Sequence, residues 1–460
     1  MAQTVDIPPT AIPPQITRPA NVPFAMTSPV YVAAERYYSP EFYDLERQRL
    51  WPRVWQFACR EDEIPNPGDF TEYNICDQSI LLVRQRDRSI RGLYNSCRHR
   101  ATELAKGCGS LPGGRLVCPF HGWSYHLDGS IASVYGEDGF DADCLRPEDL
   151  ALRRCRVETW AGLVYVNMDP DAAPLMESLG AIAETFAGVP VADMKVRWWK
   201  AAIVEANWKI TLEAFMEGWH SAQTHPQLTL GAGLNFNANF TYTTPYPNGH
   251  AQLKVRPESF DMFVDSTPGL TYLDAVLGWN GLLCEGLDGG LVLQRDMNVL
   301  EQLRHHAIPD GSSVGAEAAK LLHSYAQTAG IAMPEPTPEF AGMWGSTSTI
   351  FPNTVLIPQF TSALMYRSRP LGAEKCKFEI WSLTLPAEGE VFDRPQLAGE
   401  FSPHDESVWP LIFWQDYGNI ERQQRGLHAN GYAGSRLSRV HEATSIGNLH
   451  IEIDRYLERA

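Results

Sequence analysis

The pattern of apolar and polar positions changes near residue 55, where short runs rich in β-branched and aromatic residues begin. Glycine, proline and asparagine interrupt these runs after a few residues. Such a rhythm predicts β-strands joined by tight turns. The predicted strands span residues 80–84, 90–95, 115–118, 123–126 and 163–166. We therefore expect a small all-β domain over residues 55–167.

Longer periodic segments follow, and they mix two kinds of element. Helical spacing of apolar residues predicts helices over 208–222 and 316–329, and a final helix is expected to begin near Trp414. Strand-like runs occupy 198–206, 355–366 and 378–385. The predicted fold class is α+β: the small all-β domain is followed by a larger domain, residues 168–460, whose antiparallel sheet is wrapped by helices.

The N-terminal segment has a different composition, with seven prolines in its first 30 residues. Proline lacks an amide donor and restricts φ, so we expect an extended arm over residues 1–38. A helix is expected within residues 39–54, packed on the larger domain. Ser39 provides an N-cap for it, and Pro40 stands at a permitted first helical position.

Composition narrows the functional class. The chain has 460 residues with 38 basic and 55 acidic side chains, and its net charge of -17 argues against nucleic acid as a partner. Nine scattered cysteines do not suggest a disulfide framework. The sequence has no signal-peptide pattern and no run of about 18 apolar residues. We expect a cytoplasmic protein that acts on a small molecule or another protein and has no membrane partner.

Two cysteine and histidine pairs form the first candidate metal site. Cys97 and His99 flank one residue, and Cys118 and His121 flank two. A zinc site is the chemical alternative, but zinc motifs usually pair cysteine with cysteine and histidine with histidine. In a Rieske 2Fe-2S centre one iron takes two cysteines and the other two histidines, so mixed pairs on neighbouring loops suit it.

A second candidate site lies on the predicted helix over 208–222 and just beyond it. His220 and His225 are five residues apart, so both rings can meet one ion only if the helix ends between them, and Pro226 favours such a break. Two histidines and one carboxylate form the ligand set of many Fe(II) oxygenases. The residues alone leave three carboxylates as candidates, which are Glu213, Glu217 and Asp416.

The sequence resembles the large subunits of Rieske-type ring-hydroxylating oxygenases. The resemblance rests on N-S-C-R-H-R-A at 95–101, C-P-F-H-G-W-S-Y at 118–125, the stretch 207–225 and the stretch 416–427. It implies a 2Fe-2S cluster on Cys97, His99, Cys118 and His121, and mononuclear Fe(II) on His220, His225 and Asp416. It also implies a bridging role for Glu217. The sequence departs from the family pattern at Ala214 and Trp219, and also at Gln415, where an acidic residue is common.

The resemblance further implies a terminal oxygenase that uses O₂ and electrons from NAD(P)H, delivered by a ferredoxin or a flavoprotein reductase. The expected reaction is hydroxylation of an aromatic or bulky apolar substrate. One alternative is a monooxygenase or demethylase acting on a smaller polar or quaternary amine. A non-catalytic Rieske electron carrier and a zinc-stabilised binding protein are alternatives from other classes.

The family's assembly completes these expectations. A head-to-tail homotrimer, with or without a small β subunit, would set the cluster of one copy beside the iron of the next. His121 would then hydrogen-bond across the boundary to Glu217, which in turn orients His220.

Overall fold

Two structural units make up the chain in the computed structural model, which describes residues 21–230, 239–256 and 258–458. The smaller unit comprises Arg47–Ser178 and Asp393–Gln396. The larger comprises Met1–Glu46, Leu179–Phe392 and Leu397–Ala460. Residues 1–20 of the predicted N-terminal arm lie outside the described residues.

The N-terminal part of the larger unit begins with β1 (Tyr31–Ala33), α1 (Glu35–Tyr38) and α2 (Pro40–Leu45). Ser39 caps α2 as predicted, because its side chain accepts a hydrogen bond from the backbone N–H of Phe42. The helix does not continue to residue 50 in α form, since Glu46–Leu50 is a π-helical turn.

The smaller unit is built from ten strands in two antiparallel sheets. The seven-stranded sheet has the order β2-β11-β10-β5-β4-β3-β6, and β7-β8-β9 form the other. The strands are β2 (Gln56–Arg60), β3 (Asp69–Ile75), β4 (Gln78–Arg84), β5 (Ile90–Tyr94), β6 (Cys108–Ser110), β7 (Arg115–Val117), β8 (Ser124–His126), β9 (Ile131–Ser133), β10 (Arg154–Trp160) and β11 (Leu163–Asn167). The short helix α3 (Pro147–Leu150) lies between β9 and β10, and α4 (Leu175–Leu179) follows β11.

All five strands predicted in this region are present, as β4, β5, β7, β8 and β11. The other five were missed, and the sequences of four of them show why. β3 and β10 carry charged residues along their length, and the three-residue β6 (Cys-Gly-Ser) and β9 (Ile-Ala-Ser) have at most one β-branched residue each. A core cluster that includes Leu81, Leu93 and Leu116 contains both Cys97 and Cys118.

The larger unit contains an eight-stranded sheet with the order β13-β14-β15-β16-β17-β18-β12-β19. The predicted antiparallel arrangement is confirmed for seven strands, whereas the two-residue β19 pairs with β12 in parallel. The strands are β12 (Lys195–Val204), β13 (Thr241–Pro245), β14 (Ala251–Val255), β15 (Thr347–Ile350), β16 (Thr354–Gln359), β17 (Ser362–Gly372), β18 (Lys375–Thr384) and β19 (Glu400–Phe401), and β20 (Gly434–Arg436) pairs separately with β1.

Along the chain, helices precede, separate and follow the strands of this sheet. They are α5 (Ala181–Thr185), α6 (Trp208–Glu213), α7 (His220–Thr224), α8 (Pro226–Leu230), α9 (Ser259–Ser266), α10 (Tyr272–Gly286), α11 (Gln294–Leu300), α12 (Val314–Thr328), α13 (Pro338–Ala341), α14 (Leu411–Gly426) and α15 (Asn448–Glu458). Among the described residues, none of the helices is both long and apolar enough to cross a lipid bilayer.

Two elements that the sequence predicted as continuous are each divided into two in the structure. The helix expected over 208–222 ends at Glu213, and a separate helix begins at His220. The strand expected over 355–366 is two antiparallel strands, β16 and β17, joined by a turn in which Phe360 has a positive φ of 39°. The apolar run hides this turn, because both strands are buried on both faces.

A buried polar network joins α1 and α2 to the rest of the larger unit. Arg36 forms a 2.6 Å ion pair with Asp454 on α15. Lys209 on α6 forms a 2.7 Å ion pair with Glu46, and both side chains are fully buried. Removing one partner of a buried pair leaves an uncompensated charge, which costs about 3–5 kcal/mol. The end of the predicted arm and the helix that follows it are thus anchored on the larger unit, and residues 31–38 are not the simple extended segment that the prolines predicted.

Candidate metal centres

Two loops of the smaller unit present the first set of candidate ligands, and both have the same backbone hydrogen bonds. The Cys97 N–H donates to the Thr102 carbonyl at 2.9 Å, and the Ala101 N–H returns to the Cys97 carbonyl. In the second loop the Cys118 N–H donates to the Trp123 carbonyl at 2.8 Å, and the Gly122 N–H returns to the Cys118 carbonyl. Each cysteine therefore opens a tight turn of matching geometry.

A residue with positive φ closes each turn. Gly122 has φ of 74°, which glycine adopts without steric cost, whereas Ala101 has φ of 62° and must be held there by the loop. Backbone N–H groups of His121 and Phe120 hydrogen-bond the Cys118 sulfur. Burial alone would raise the pKa of this thiol, but these donors lower it below its ordinary value. The loop is therefore suited to a thiolate.

The two cysteines are neighbours in the structure, and so are the two histidines. The two thiols are close enough to influence each other's ionisation, and the rings of His99 and His121 have centroids 4.7 Å apart. The cysteines are buried, while both histidines are partly exposed. His99 Nδ1 is buried and has no hydrogen-bond partner among the described residues. Two thiols inside, two imidazoles outside and an orphaned ring nitrogen fit an iron–sulfur cluster with mixed ligation.

Tyr125 belongs to this site and was not predicted. Its hydroxyl lies 3.2 Å from Cys97 Sγ and accepts a hydrogen bond from the Arg98 N–H at 2.9 Å. The side chain is fully buried. A hydrogen bond to a ligating sulfur raises the reduction potential of a cluster. The only sequence signal was its place in the C-P-F-H-G-W-S-Y segment.

His220, His225 and Asp416 converge in the larger unit. One ligand atom from each lies within 4.8 Å of the others. His225 Nε2 is 3.1 Å and His220 Nε2 is 3.8 Å from Asp416 Oδ1. His225 follows the last residue of α7 with ψ of 65°, so the helix ends where the spacing required it to end. Asp416 Oδ2 is buried without a hydrogen-bond partner in the described part of the chain.

This arrangement fits a metal ion. Two imidazole nitrogens and a carboxylate face one point, and the unused carboxylate oxygen needs a partner that the described protein atoms do not provide. Burial would lower the pKa of His220, but Glu217 and Asp416 raise it to about 9. Carboxylates that stabilise a protonated histidine this strongly also favour a bound metal cation.

Glu217 orients His220. Its Oε1 lies 2.8 Å from His220 Nδ1, and its Oε2 accepts hydrogen bonds from the backbone N–H groups of Trp219 and, at 3.2 Å, His220. The ring is thereby turned so that Nε2 faces Asp416. The same carboxylate satisfies the first amides of α7, which is one reason that the helix starts anew there.

Gln415 has the equivalent contact with the second histidine. His225 Nδ1 donates to Gln415 Oε1 at 2.8 Å, and the side-chain amides of Gln415 and Gln227 hydrogen-bond each other in both directions. In the sequence alone, Gln415 is only a departure from an acidic residue that the family commonly has there. In the structure it is the residue that sets the orientation of His225, with a neutral acceptor in place of a charged one.

Glu213 is not part of the ligand group, although the residues alone left it as a candidate. Its carboxylate accepts a hydrogen bond from the Tyr37 hydroxyl at 3.0 Å and lies 2.8 Å from His450 Nε2. Burial raises its pKa to about 7 despite the Tyr37 hydrogen bond and the nearby cations. It belongs to the buried network around α1, so Asp416 is the carboxylate that meets the histidines.

A cavity of about 340 Å³ has the three residues in its wall. Its other described lining residues are mainly aliphatic and aromatic, and no lysine or arginine is among them. The lining comes from α10, from the β16 strand and from the start of α14, among other elements. The arrangement can hold an apolar molecule beside a metal ion.

Two known protein families match this chain, one over the region of the first candidate site and one over the region of the second. Residues 54–140 match the family described as Rieske [2Fe-2S] domain. Residues 191–276 and 292–458 match the family described as ring hydroxylating alpha subunit (catalytic domain), and this match alone covers more than half of the 460 residues.

Individual relatives are similar over part of their length. The carnitine monooxygenase oxygenase subunit of Escherichia coli is 30% identical over 200 residues, which are 42% of this chain and 52% of that protein. The anthranilate 1,2-dioxygenase large subunit of Acinetobacter baylyi is 30% identical over 203 residues, or 42% of each chain. The chain thus spans about half the length of the curated relatives it matches.

Solved structures share the fold along nearly the whole chain. Naphthalene 1,2-dioxygenase with indole bound has a TM-score of 0.64 at 18% identity and covers 96% of this chain and 98% of its own. The quaternary ammonium Rieske monooxygenase CntA with L-carnitine has a TM-score of 0.63 at 18% identity and covers 93% and 97%. With the matched families and the two ligand sets, this chain belongs to the ring-hydroxylating alpha subunits, with a Rieske 2Fe-2S domain ahead of a mononuclear iron domain.

Proposed function

We propose that the chain is the terminal oxygenase component of a Rieske non-haem iron oxygenase and that it hydroxylates an apolar organic substrate. The observation that carries this proposal is the position of His220, His225 and Asp416 in the wall of a cavity whose described lining is mainly apolar. Electrons would come from NAD(P)H through a ferredoxin or a flavoprotein reductase.

The proposed ligands follow from the two constellations. Cys97, His99, Cys118 and His121 would hold the cluster, and His220, His225 and Asp416 would hold Fe(II). When bound, these groups supply electron transfer and O₂ activation.

The protein groups around the iron have separate roles. Glu217 and Gln415 hold the two imidazoles in place from their Nδ1 sides. The aromatic and aliphatic lining positions the substrate and excludes water, which strengthens every electrostatic interaction inside the cavity.

The exposed surface around the cluster histidines supports the proposed head-to-tail homotrimer. Four large apolar side chains near His99 and His121 are exposed there, and we call them the collar; they are Val117 at 53%, Phe120 at 59%, Tyr135 at 77% and Phe140 at 36%. Apolar groups gathered on a surface usually mark an interface.

In the proposed ring the collar of one copy meets the larger unit of the next. On the larger unit, Trp219 lies two residues after Glu217, and its side chain is 36% exposed. His121 of one copy would then donate to Glu217 of its neighbour, which already holds His220, and so link the two metal centres. Light scattering should give the mass of three chains, and a monomer that turns over at full rate would contradict this assembly.

A smaller amine is the second candidate substrate. Seven aromatic side chains line the cavity, and aromatic faces attract quaternary ammonium groups. The carnitine monooxygenase relatives act on such a compound by name. The described lining offers no lysine or arginine to pair with a carboxylate, so a zwitterion of that kind fits less well than an uncharged ring.

Substrate-dependent O₂ uptake tests the function. Protein with its cluster and Fe(II), supplied with a reductase system, should consume O₂ with bicyclic arenes and yield hydroxylated products by mass spectrometry. Uptake with quaternary amines alone would select the second candidate. Reduction of the cluster without O₂ consumption across both substrate classes would instead support a non-catalytic electron carrier.

A further inference from the structure

A pair of amide side chains interrupts the apolar lining of the cavity. Gln359 lies on β16 and projects from the same face as Ile357, which also lines the cavity. Asn280 lies on α10, on the helix face that carries Val276 and Leu283 into the cavity. The two amides meet between the sheet and the helix.

Hydrogen bonds determine the orientation of both amides. Asn280 Nδ2 donates to the Val276 carbonyl at 2.9 Å, so Asn280 Oδ1 must be the atom that faces Gln359. Gln359 Nε2 donates to that oxygen, also at 2.9 Å. An inverted Gln359 amide would set two oxygens against each other. Because both amide nitrogens donate to oxygens of the protein, Gln359 Oε1 is the acceptor that remains.

This acceptor is buried and unused. Gln359 is 6% exposed, and its Oε1 has no hydrogen-bond partner among the described residues. A buried amide oxygen without a partner costs about 1–3 kcal/mol, so such atoms in a binding cavity point to a ligand group.

Free space lies beside the oxygen. A Cβ built on Gly345, another cavity residue, would stand 3.6 Å from Oε1 and would meet nothing else within 4 Å apart from its chain neighbours. The absence of a side chain at Gly345 leaves room for a donor atom of a ligand.

We propose that Gln359 Oε1 accepts a hydrogen bond from the substrate, which is therefore an uncharged, largely apolar ring compound with an N–H or O–H donor. This inference rests on the proposed function and names the substrate class within it. Gln359 is a specificity-determining residue here. Trp344 Nε1 is a second unpartnered polar atom of the lining, and as a donor it would select the opposite kind of ligand group.

Binding of three matched bicyclic probes tests the proposal. Indole offers an N–H donor, indene has neither donor nor acceptor, and benzofuran has an acceptor oxygen. Their dissociation constants should be measured by calorimetry on the Fe(II)-loaded protein without O₂ and with an oxidised cluster, so that nothing turns over. We expect indole to bind about tenfold more tightly than indene.

Gln359→Met removes the acceptor at nearly constant volume and should bring the indole-to-indene ratio close to one. It also deprives Asn280 of its donor, so the double variant Asn280→Leu with Gln359→Met, which removes both polar partners, serves as the second test. Thr347→Val changes a hydroxyl on the same cavity wall to a methyl group and should retain the tenfold ratio.

Three results would overturn the inference: equal binding of indole and indene to the parent protein, a ratio that survives Gln359→Met and the double variant, or a preference for benzofuran over both. Each of these leaves the proposed oxygenase intact as long as bicyclic arenes bind. Failure of all three probes to bind, together with a negative O₂-uptake screen, would remove the proposed function as well.

Discussion

Glu217→Ala is the most informative single substitution for the link between the two metal centres. The Glu217 carboxylate makes three hydrogen bonds, to the His220 ring at 2.8 Å, to the His220 backbone at 3.2 Å and to the Trp219 backbone. Removing a residue that orients a metal-ligating histidine lowers metal affinity by about 10- to 100-fold, or about 1.4–2.8 kcal/mol. We expect Fe(II) affinity to fall by that amount while the Rieske spectrum stays unchanged.

A second effect should remain when Fe(II) is supplied in excess. If Glu217 also accepts from His121 of a neighbouring copy, oxidation of the reduced cluster by O₂ and substrate will stay slow in a fully iron-loaded variant. Chelator competition measures the affinity, and stopped-flow loss of the Rieske absorbance measures the electron transfer. Glu339→Ala, which removes an exposed carboxylate on α13, is the matched control. Parent-like affinity and parent-like reoxidation in Glu217→Ala would refute both roles.

Four further outcomes are expected. Cys118→Ser should abolish the red-brown absorbance, and iron-replete protein that contains stoichiometric zinc and no iron would contradict the cluster. Asp416→Ala should keep that absorbance but lose mononuclear iron and product, and turnover at the parent rate would exclude Asp416 as a ligand. Gln415→Leu should lower Fe(II) affinity about tenfold in chelator competition, because His225 loses its acceptor; unchanged affinity would rule this role out. Burial raises the pKa of Glu213 from 4.5 to about 7, so this residue binds its proton more tightly in the folded state than in the unfolded state. Its contribution to stability is therefore present below pH 4.5 and is lost as the pH rises to about 7. Other ionisable groups surround Glu213, namely Tyr37, His450, Lys209, Arg36 and Glu442, so a comparison with Glu213→Gln is needed to isolate its own titration. Urea denaturation of the parent protein should show a loss of unfolding free energy across this pH range that is up to about 3 kcal/mol larger than in the variant. Parallel pH profiles would show that Glu213 does not titrate in this way.

The cluster loops were predictable because their geometry is local. Each loop contributes one cysteine and one histidine within four residues, and backbone hydrogen bonds inside the same loop hold the turn. The strands before them were predictable for a similar reason, since β4 has four consecutive aliphatic residues and β5 combines Ile90 and Leu93 with an aromatic Tyr94. By contrast, the helix break between Glu213 and His220 was not visible in the periodicity. It depends on a side chain, Glu217, that takes over the first amides of α7.

The sequence by itself predicted the two domains in outline, the six cysteine and histidine ligands proposed for the two metal sites, and the need for a helix end before His225. Only the tertiary structure decided between Glu213 and Asp416, because their surroundings come from residues far along the chain. Glu213 is engaged by Tyr37 and His450, 176 and 237 positions away, whereas α14 brings Asp416 beside His225 and Gln415 to its Nδ1 from 190 positions away. The orientation of Gln359 likewise depends on Asn280, 79 positions away on a different element. Spacing within a loop follows from covalent geometry, but a contact between distant segments exists only after the sheet and its helices have packed together.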